Sequence, residues 1–175
     1  MAVDLDTYVR DIPDFPKPGI VFKDITPVLA SGEALDAAVA QLADLTRGLD
    51  VDVVIGAEAR GFLLGAALAR ELGAGFVLAR KPGKLPHETV RAEYLLEYGT
   101  DALELHTDAV AEGARVLVHD DLLATGGTAR ALCELVERLD GVVVGCAFLI
   151  ELGFLNGRQR LSQYEVSSVL RYDSE

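Results

Sequence analysis

Residues 115–139 place a strand, two adjacent carboxylates, a glycine turn and an amphipathic helix in immediate succession. Arg115 to Asp120 carries Val116, Leu117 and Val118, the signature of a buried strand. From about Thr128 to Leu139, the positions Ala131, Leu132, Leu135, Val136 and Leu139 fall on one helical stripe, which Asp140 and Gly141 end. A strand that carries carboxylates at its carboxyl end and turns at once into a helix belongs to an open α/β sheet. In such sheets ligands bind beyond the carboxyl ends of the strands.

The rest of the chain repeats this alternation. Residues 51–58 read as a buried strand, Arg60 to Leu72 as a helix stopped by Gly73, and Gly75 to Arg80 as a second strand. Gly61 and Gly65 let that helix approach the sheet closely. Glu33 to Arg47 predicts an earlier helix, and Gly141 to Leu152 a further strand. Alternating β and α units imply an α/β fold, a central mostly parallel sheet flanked by helices. At 175 residues with half of them apolar, the chain fits a single domain, 1–175.

Two stretches depart from the rhythm. Residues 11–29, with prolines at 13, 16, 18 and 27, predict an extended, irregular lead. Residues 81–92 read as a polar surface loop, followed by a hairpin of Glu93–Tyr98 and Ala102–His106 around Gly99-Thr100-Asp101. Loop and hairpin, residues 81–106, form a candidate flexible lid.

Composition excludes several classes. A net charge of −12 argues against a nucleic-acid partner. No apolar run approaches the roughly 18 residues of a membrane span, so no membrane partner is expected. The first residues show neither a basic region nor an apolar signal core, which predicts a cytoplasmic protein. Cys133 and Cys146 lack metal-like spacing and read as small buried apolar residues.

The chemistry lies in the 116–128 segment. Asp120 and Asp121 are costly to bury and suit the paired hydroxyls of a ribose. Ala124, Thr125, Gly126, Gly127 and Thr128 then open a helix, where converging backbone N–H groups and two hydroxyls suit a phosphate. The helix N-terminus adds up to ~2 kcal/mol for an anion there. No lysine follows the glycines, so an ordinary P-loop is excluded. An acidic chain that binds a polyanion must concentrate its positive charge. Arg80, Lys81 and Lys84 do so within five residues, and Arg60 follows another strand end.

This string resembles the phosphoribosyl pyrophosphate motif of the type I phosphoribosyltransferases. The resemblance implies that family's fold, with a lid hairpin and an N-terminal hood over residues 1–32. It assigns the ribose and 5′-phosphate to Asp120, Asp121 and Ala124 through Thr128. Further segments, Gly56–Phe62, Arg80–Pro86, Tyr94–Gly99 and Asp14–Pro27, are similar to the adenine-specific members, in the same order and over residues 8–170.

By that resemblance Arg60, Lys81 and Lys84 contact pyrophosphate, and Arg80 reaches the partner's site across a homodimer. Glu97 is the implied acid/base, with Arg60 also in the catalytic set. Adenine is read around Val21, Phe22 and Lys23, with apolar surface from Leu122 and Leu152. The implied reaction joins adenine to phosphoribosyl pyrophosphate, giving AMP and pyrophosphate. Mg²⁺ is held by substrate and water, with no ligands from protein side chains. Rivals are the same reaction on hypoxanthine, guanine or xanthine, and a non-catalytic regulator that senses phosphoribosyl pyrophosphate. One position departs from the family pattern: His119 stands where an aliphatic residue is usual.

Overall fold

Short β-branched runs build the centre of the molecule. In the computed structural model, which describes residues 3–96 and 99–174, β3 (Val53–Ala57), β4 (Gly75–Ala79), β7 (Arg115–Leu123), β8 (Val142–Leu152) and β9 (Val166–Tyr172) form one sheet. Its five strands run in the order β4-β3-β7-β8-β9, and every pairing is parallel. The helices are α1 (Thr26–Ala30), α2 (Gly32–Thr46), α3 (Gly61–Leu72) and α4 (Gly127–Arg138).

Strand alternation sorts side chains to two faces. Ile55, Val116, Val118 and Phe148 pack with Leu132, Leu135 and Val136 of α4 on one side. Val54, Leu117, Ala147 and Leu149 meet Leu42 of α2 and Leu64 and Leu68 of α3 on the other. Cys133 and Cys146 are buried free thiols, with sulfur atoms 3.7 Å apart. From β3 the chain proceeds outward to β4, then returns to place β7 on the opposite side of β3. The carboxyl ends of β3 and β7 therefore flank a topological switch point, where α/β sheets bind ligands.

Gly61 sets how closely α3 approaches this point. A Cβ there would lie 2.9 Å from Asp120 Oδ1, so a larger residue would have to displace the Asp120 carboxylate or the helix.

The structure corrects three expectations. The lead folds as an antiparallel ribbon, β1 (Arg10–Pro13) with β2 (Val21–Asp24), in register from Arg10↔Asp24 to Pro13↔Val21. Pro13 closes its strand, and Pro16 and Pro18 lie in the connection, so no central ladder position lacks a donor. The hairpin is longer than expected, β5 (Thr89–Leu96) pairing with β6 (Gly99–His106) in register from Thr89↔His106 to Leu96↔Gly99. Gly99-Thr100-Asp101, expected as its turn, belongs to β6. Ala92, Leu103 and Leu105 explain the length, since their burial in the α4-side core rewards continued pairing. The inner face of the hairpin is thus core, and Arg80↔Glu104 bridges it to the end of β4. Third, β7 runs on to Leu123, because Leu122 and Leu123 still pair with Ile150 and Glu151. Asp120, expected as the last residue of the strand, and Asp121 therefore lie inside it. Strand β9 was also not anticipated.

Among the described residues no helix is long and apolar enough to cross a membrane.

Candidate active site

The cleft at the switch point grows out of one strand. Asp120 and Asp121 are consecutive on β7, and both line the cleft at its carboxyl end. Asp121 is only 4% exposed, and its Oδ2 lies 3.1 Å from Arg60 Nε. Arg60 caps the N-terminus of α3 just after β3, so the switch point itself creates this ion pair. Asp120 Oδ1 accepts the Asp121 N–H at 2.9 Å. Burial, then the neighbouring Asp121 carboxylate, hold Asp120 well above the ordinary carboxylate range.

Beyond Leu123 the chain turns through Ala124, Thr125 and Gly126 into α4. Gly126 is the N-cap in left-handed backbone, φ 83°, and no side chain caps the helix. The first N–H groups of a helix have no intrahelical partner, so this turn is disposed to receive an anion. Arg60 and residues 120–129 line a cleft of about 210 Å³. A larger hollow, about 370 Å³, lies beyond Gly127 between hairpin and α4. Its Arg130 already bonds Glu134 at 3.3 Å and Tyr164 at 2.9 Å, whereas the smaller cleft holds the converging carboxylates and the open helix end.

The cations of the rim converge in an arrangement that the sequence did not suggest. Arg80 lies 3.4 Å and Lys84 2.5 Å from the Glu58 carboxylate, which also accepts the Lys81 N–H at 2.9 Å. These bonds, Lys84 first, hold the Glu58 carboxyl down at about 2 against an opposing cost of burial. The Lys81 side chain turns elsewhere, to Asp101 on the hairpin and to the Tyr94 hydroxyl at 3.1 Å. Glu58 and Asp101 were the functional neighbours that sequence reasoning missed. Glu58 stood in the open, two residues before Arg60, but a carboxylate beside cations carries no sign of which ones it will hold.

The base-reading candidates sit across the cleft. Phe22 on β2 lies under the Arg60 guanidinium, 5.2 Å from ring centroid to Cζ, and meets Phe15 edge-on at 5.2 Å. Lys23 pairs with Asp11 at 2.6 Å and sits 4.1 Å over the Tyr172 ring. Val21 is half-buried beside them. Leu122, Leu152 and Tyr172 each pack against the apolar cluster on the α2–α3 side. Glu97 lies outside the described residues.

His119, one residue before the acids, is fully buried. Its Nδ1 contacts the Ala147 carbonyl at 2.9 Å, and its Nε2 has no partner among the described residues. Burial, opposed by the Ala147 bond, lowers its pKa to about 4.

Comparison with known proteins fits this geometry. Residues 23–172 match the family described as the phosphoribosyl transferase domain. The adenine phosphoribosyltransferase of Rubrobacter xylanophilus is 62% identical over 165 residues, covering 94% of this chain and 89% of that protein. The crystal structure of the Thermoanaerobacter pseudethanolicus adenine phosphoribosyltransferase superposes with a TM-score of 0.94 at 54% identity, covering 96% of this chain and 98% of that one. The Giardia lamblia APRTase, solved with 9-deazaadenine, superposes with a TM-score of 0.91 at 37% identity, covering 98% of this chain and 97% of that one. The chain belongs to the adenine phosphoribosyltransferase family.

Proposed function

We propose that the cleft transfers the phosphoribosyl group of phosphoribosyl pyrophosphate to N9 of adenine, releasing pyrophosphate and giving AMP. One observation carries the reading. Asp120, Asp121, Arg60 and the open start of α4 share a single cleft, and Phe22 of the base-reading strand stands against Arg60.

In this reaction the bond from C1′ to the pyrophosphate oxygen breaks and the bond from N9 to C1′ forms. The oxocarbenium-like transition state carries positive charge on the ribose and negative charge on the leaving group. Catalysis is then mainly positioning and electrostatics. Asp120 and Asp121 accept from the ribose hydroxyls. The backbone of 124–128 and the Thr125 and Thr128 hydroxyls hold the 5′-phosphate. Arg60, Lys81 and Lys84 take the pyrophosphate, with Arg80 acting on the partner's site in a homodimer. Each of these cations is now held by a carboxylate, so pyrophosphate binds by exchange with Glu58, Asp101 and Asp121. Glu97 serves as acid/base near the base, and the 81–106 loop and hairpin act as the lid that excludes water.

Mg²⁺ belongs to this chemistry because pyrophosphate presents hard oxygens. The cleft suits it: its ionisable lining groups are the carboxylates of Asp120 and Asp121 and the Arg60 cation, with no thiol or imidazole among them. When bound through substrate and water, it neutralises charge on the departing pyrophosphate. A cytoplasmic setting completes the proposal.

The deciding experiment incubates the protein with phosphoribosyl pyrophosphate, Mg²⁺ and adenine, hypoxanthine, guanine or xanthine in turn. AMP formation from adenine alone is expected. Turnover of 6-oxopurines alone overturns the base assignment, and tight binding without turnover of any base favours a sensor.

A further inference from the structure

The phosphate loop rests on a second turn. A Cβ on Gly126 would lie 2.6 Å from the Gly157 carbonyl oxygen, and a Cβ on Gly157 would lie 2.4 Å from the Ala124 oxygen. Two backbones therefore touch where any side chain would separate them. Gly157 is buried and begins a 3₁₀ turn, Gly157–Leu161, whose placement fixes where residues 124–127 can lie.

A charge cluster holds this turn. Arg158 forks onto Glu151, with Nε to Oε1 and Nη2 to Oε2 both at 2.7 Å, and its Nη1 donates to the Val166 carbonyl at 2.7 Å. Glu151 is 2% exposed and also accepts from Ser168 at 2.7 Å and Arg171 at 3.0 Å. Glu151 pairs across the ladder with Leu123, the residue immediately before the phosphate loop. One carboxylate thus ties the strand entering the loop to the turn beneath it. Burial works against the charge on Glu151, but Arg158 and Ser168 outweigh it and lower its pKa. A planar guanidinium is suited to this task, because its fork fixes direction as well as distance.

We propose that Arg158, through its fork on Glu151, is a positioning residue for the 5′-phosphate: it holds the Gly157 turn as the floor against which the 124–127 loop is shaped. The inference rests on the reading of that loop as the phosphate site. A floor that shifts misplaces the loop's N–H groups while leaving the base-reading strand β2 untouched. Displacements of about 1 Å at such a site can cost up to about 100-fold.

The test compares Arg158→Lys, which keeps the charge and loses the fork, with Gly157→Ala, which acts on the loop directly. Each is expected to raise KM for phosphoribosyl pyrophosphate and Kd for AMP about tenfold. KM for adenine and Kd for adenosine, which lacks the phosphate, should stay within about twofold. A lowered Tm with unchanged AMP affinity in Arg158→Lys overturns the proposal, as does equal weakening of AMP and adenosine. Should Arg158→Lys fail to fold, Gly157→Ala decides alone: unchanged AMP affinity overturns the proposal. The double variant Asp120→Asn with Asp121→Asn separates the two levels. If it leaves phosphoribosyl pyrophosphate binding intact, the reading of the cleft itself is wrong. If it weakens binding while Arg158→Lys and Gly157→Ala do not, only the floor proposal falls.

Discussion

The two halves of the cleft are built in opposite ways. The loop from Ala124 to Thr128 is shaped by backbone contact, with Gly126 pressed on Gly157 and the start of α4 left open. The cation rim is shaped by attraction, each positive group already held by a carboxylate of the same chain. On the proposed reading, one half receives its ligand as it stands, and the other exchanges partners to do so. The difference follows from chemistry. Backbone N–H groups are weak, fixed donors that can face water without cost. A cluster of arginine and lysine repels itself unless neutralised. Glu58 allows Arg80 and Lys84 to stand together, and on the proposed reading it competes with the pyrophosphate that they would bind.

The comparison breaks most decisively at the carboxylates of β7. Replacing Asp120 and Asp121 together by asparagine should lower kcat/KM about 1,000-fold, as loss of oriented transition-state contacts does, while circular dichroism and Tm report a retained fold. An effect below tenfold would remove these residues from the site.

His119 probes the rigidity of the prepared half. Its folded pKa, about 4 against an ordinary 6.5, means that the unfolded chain binds a proton that the native chain refuses between those values. Stability should therefore fall as pH drops from about 6.5 to 4, by about 3 kcal/mol across the window. His119→Leu should flatten that slope in urea unfolding at stepped pH. A slope of the same size in the variant would assign it to other groups.

Lys84 probes the exchanging half. Lys84→Ala should raise KM for phosphoribosyl pyrophosphate about tenfold, the scale of one charge-assisted bond, and leave kcat nearly unchanged. A fall in kcat with constant KM would instead mean that Lys84 acts only in the transition state.

Glu58→Gln should give the smallest of these effects, a modest loss of stability at neutral pH that disappears in acid. The Glu58 carboxyl is held at about 2 against an ordinary 4.5, so its contribution is full above 4.5 and is lost as pH falls toward 2. The variant should lose less stability across that interval. If the acid unfolding profile is unchanged, the rim cations do not depend on Glu58.

Much of this was legible in advance, and for a common reason. The βαβ alternation, the helices at 33–47, 60–72 and 128–139, and the Asp-Asp loop are local patterns set by periodicity and glycine placement. What escaped notice depends on partners distant in the chain. Strand β9 is half-buried at the sheet edge and lacks a strong apolar run, so only its pairing with β8 reveals it. The hairpin extends over Gly99–Asp101 because Leu103 and Leu105 find a core contributed by α4. The lead's prolines suggested irregularity, yet their positions leave the ladder of β1 and β2 intact.

The sequence by itself determined the class of fold and where the Asp-Asp and glycine turn stands in it, since both follow from the order of residue types over a dozen positions. Only the tertiary structure decided which charges meet: Arg60 with Asp121, Glu58 with Arg80 and Lys84, and Glu151 with Arg158. Apolar periodicity acts between neighbours in the chain. Ion pairing follows distance in space, which the sheet order β4-β3-β7-β8-β9 had to set first.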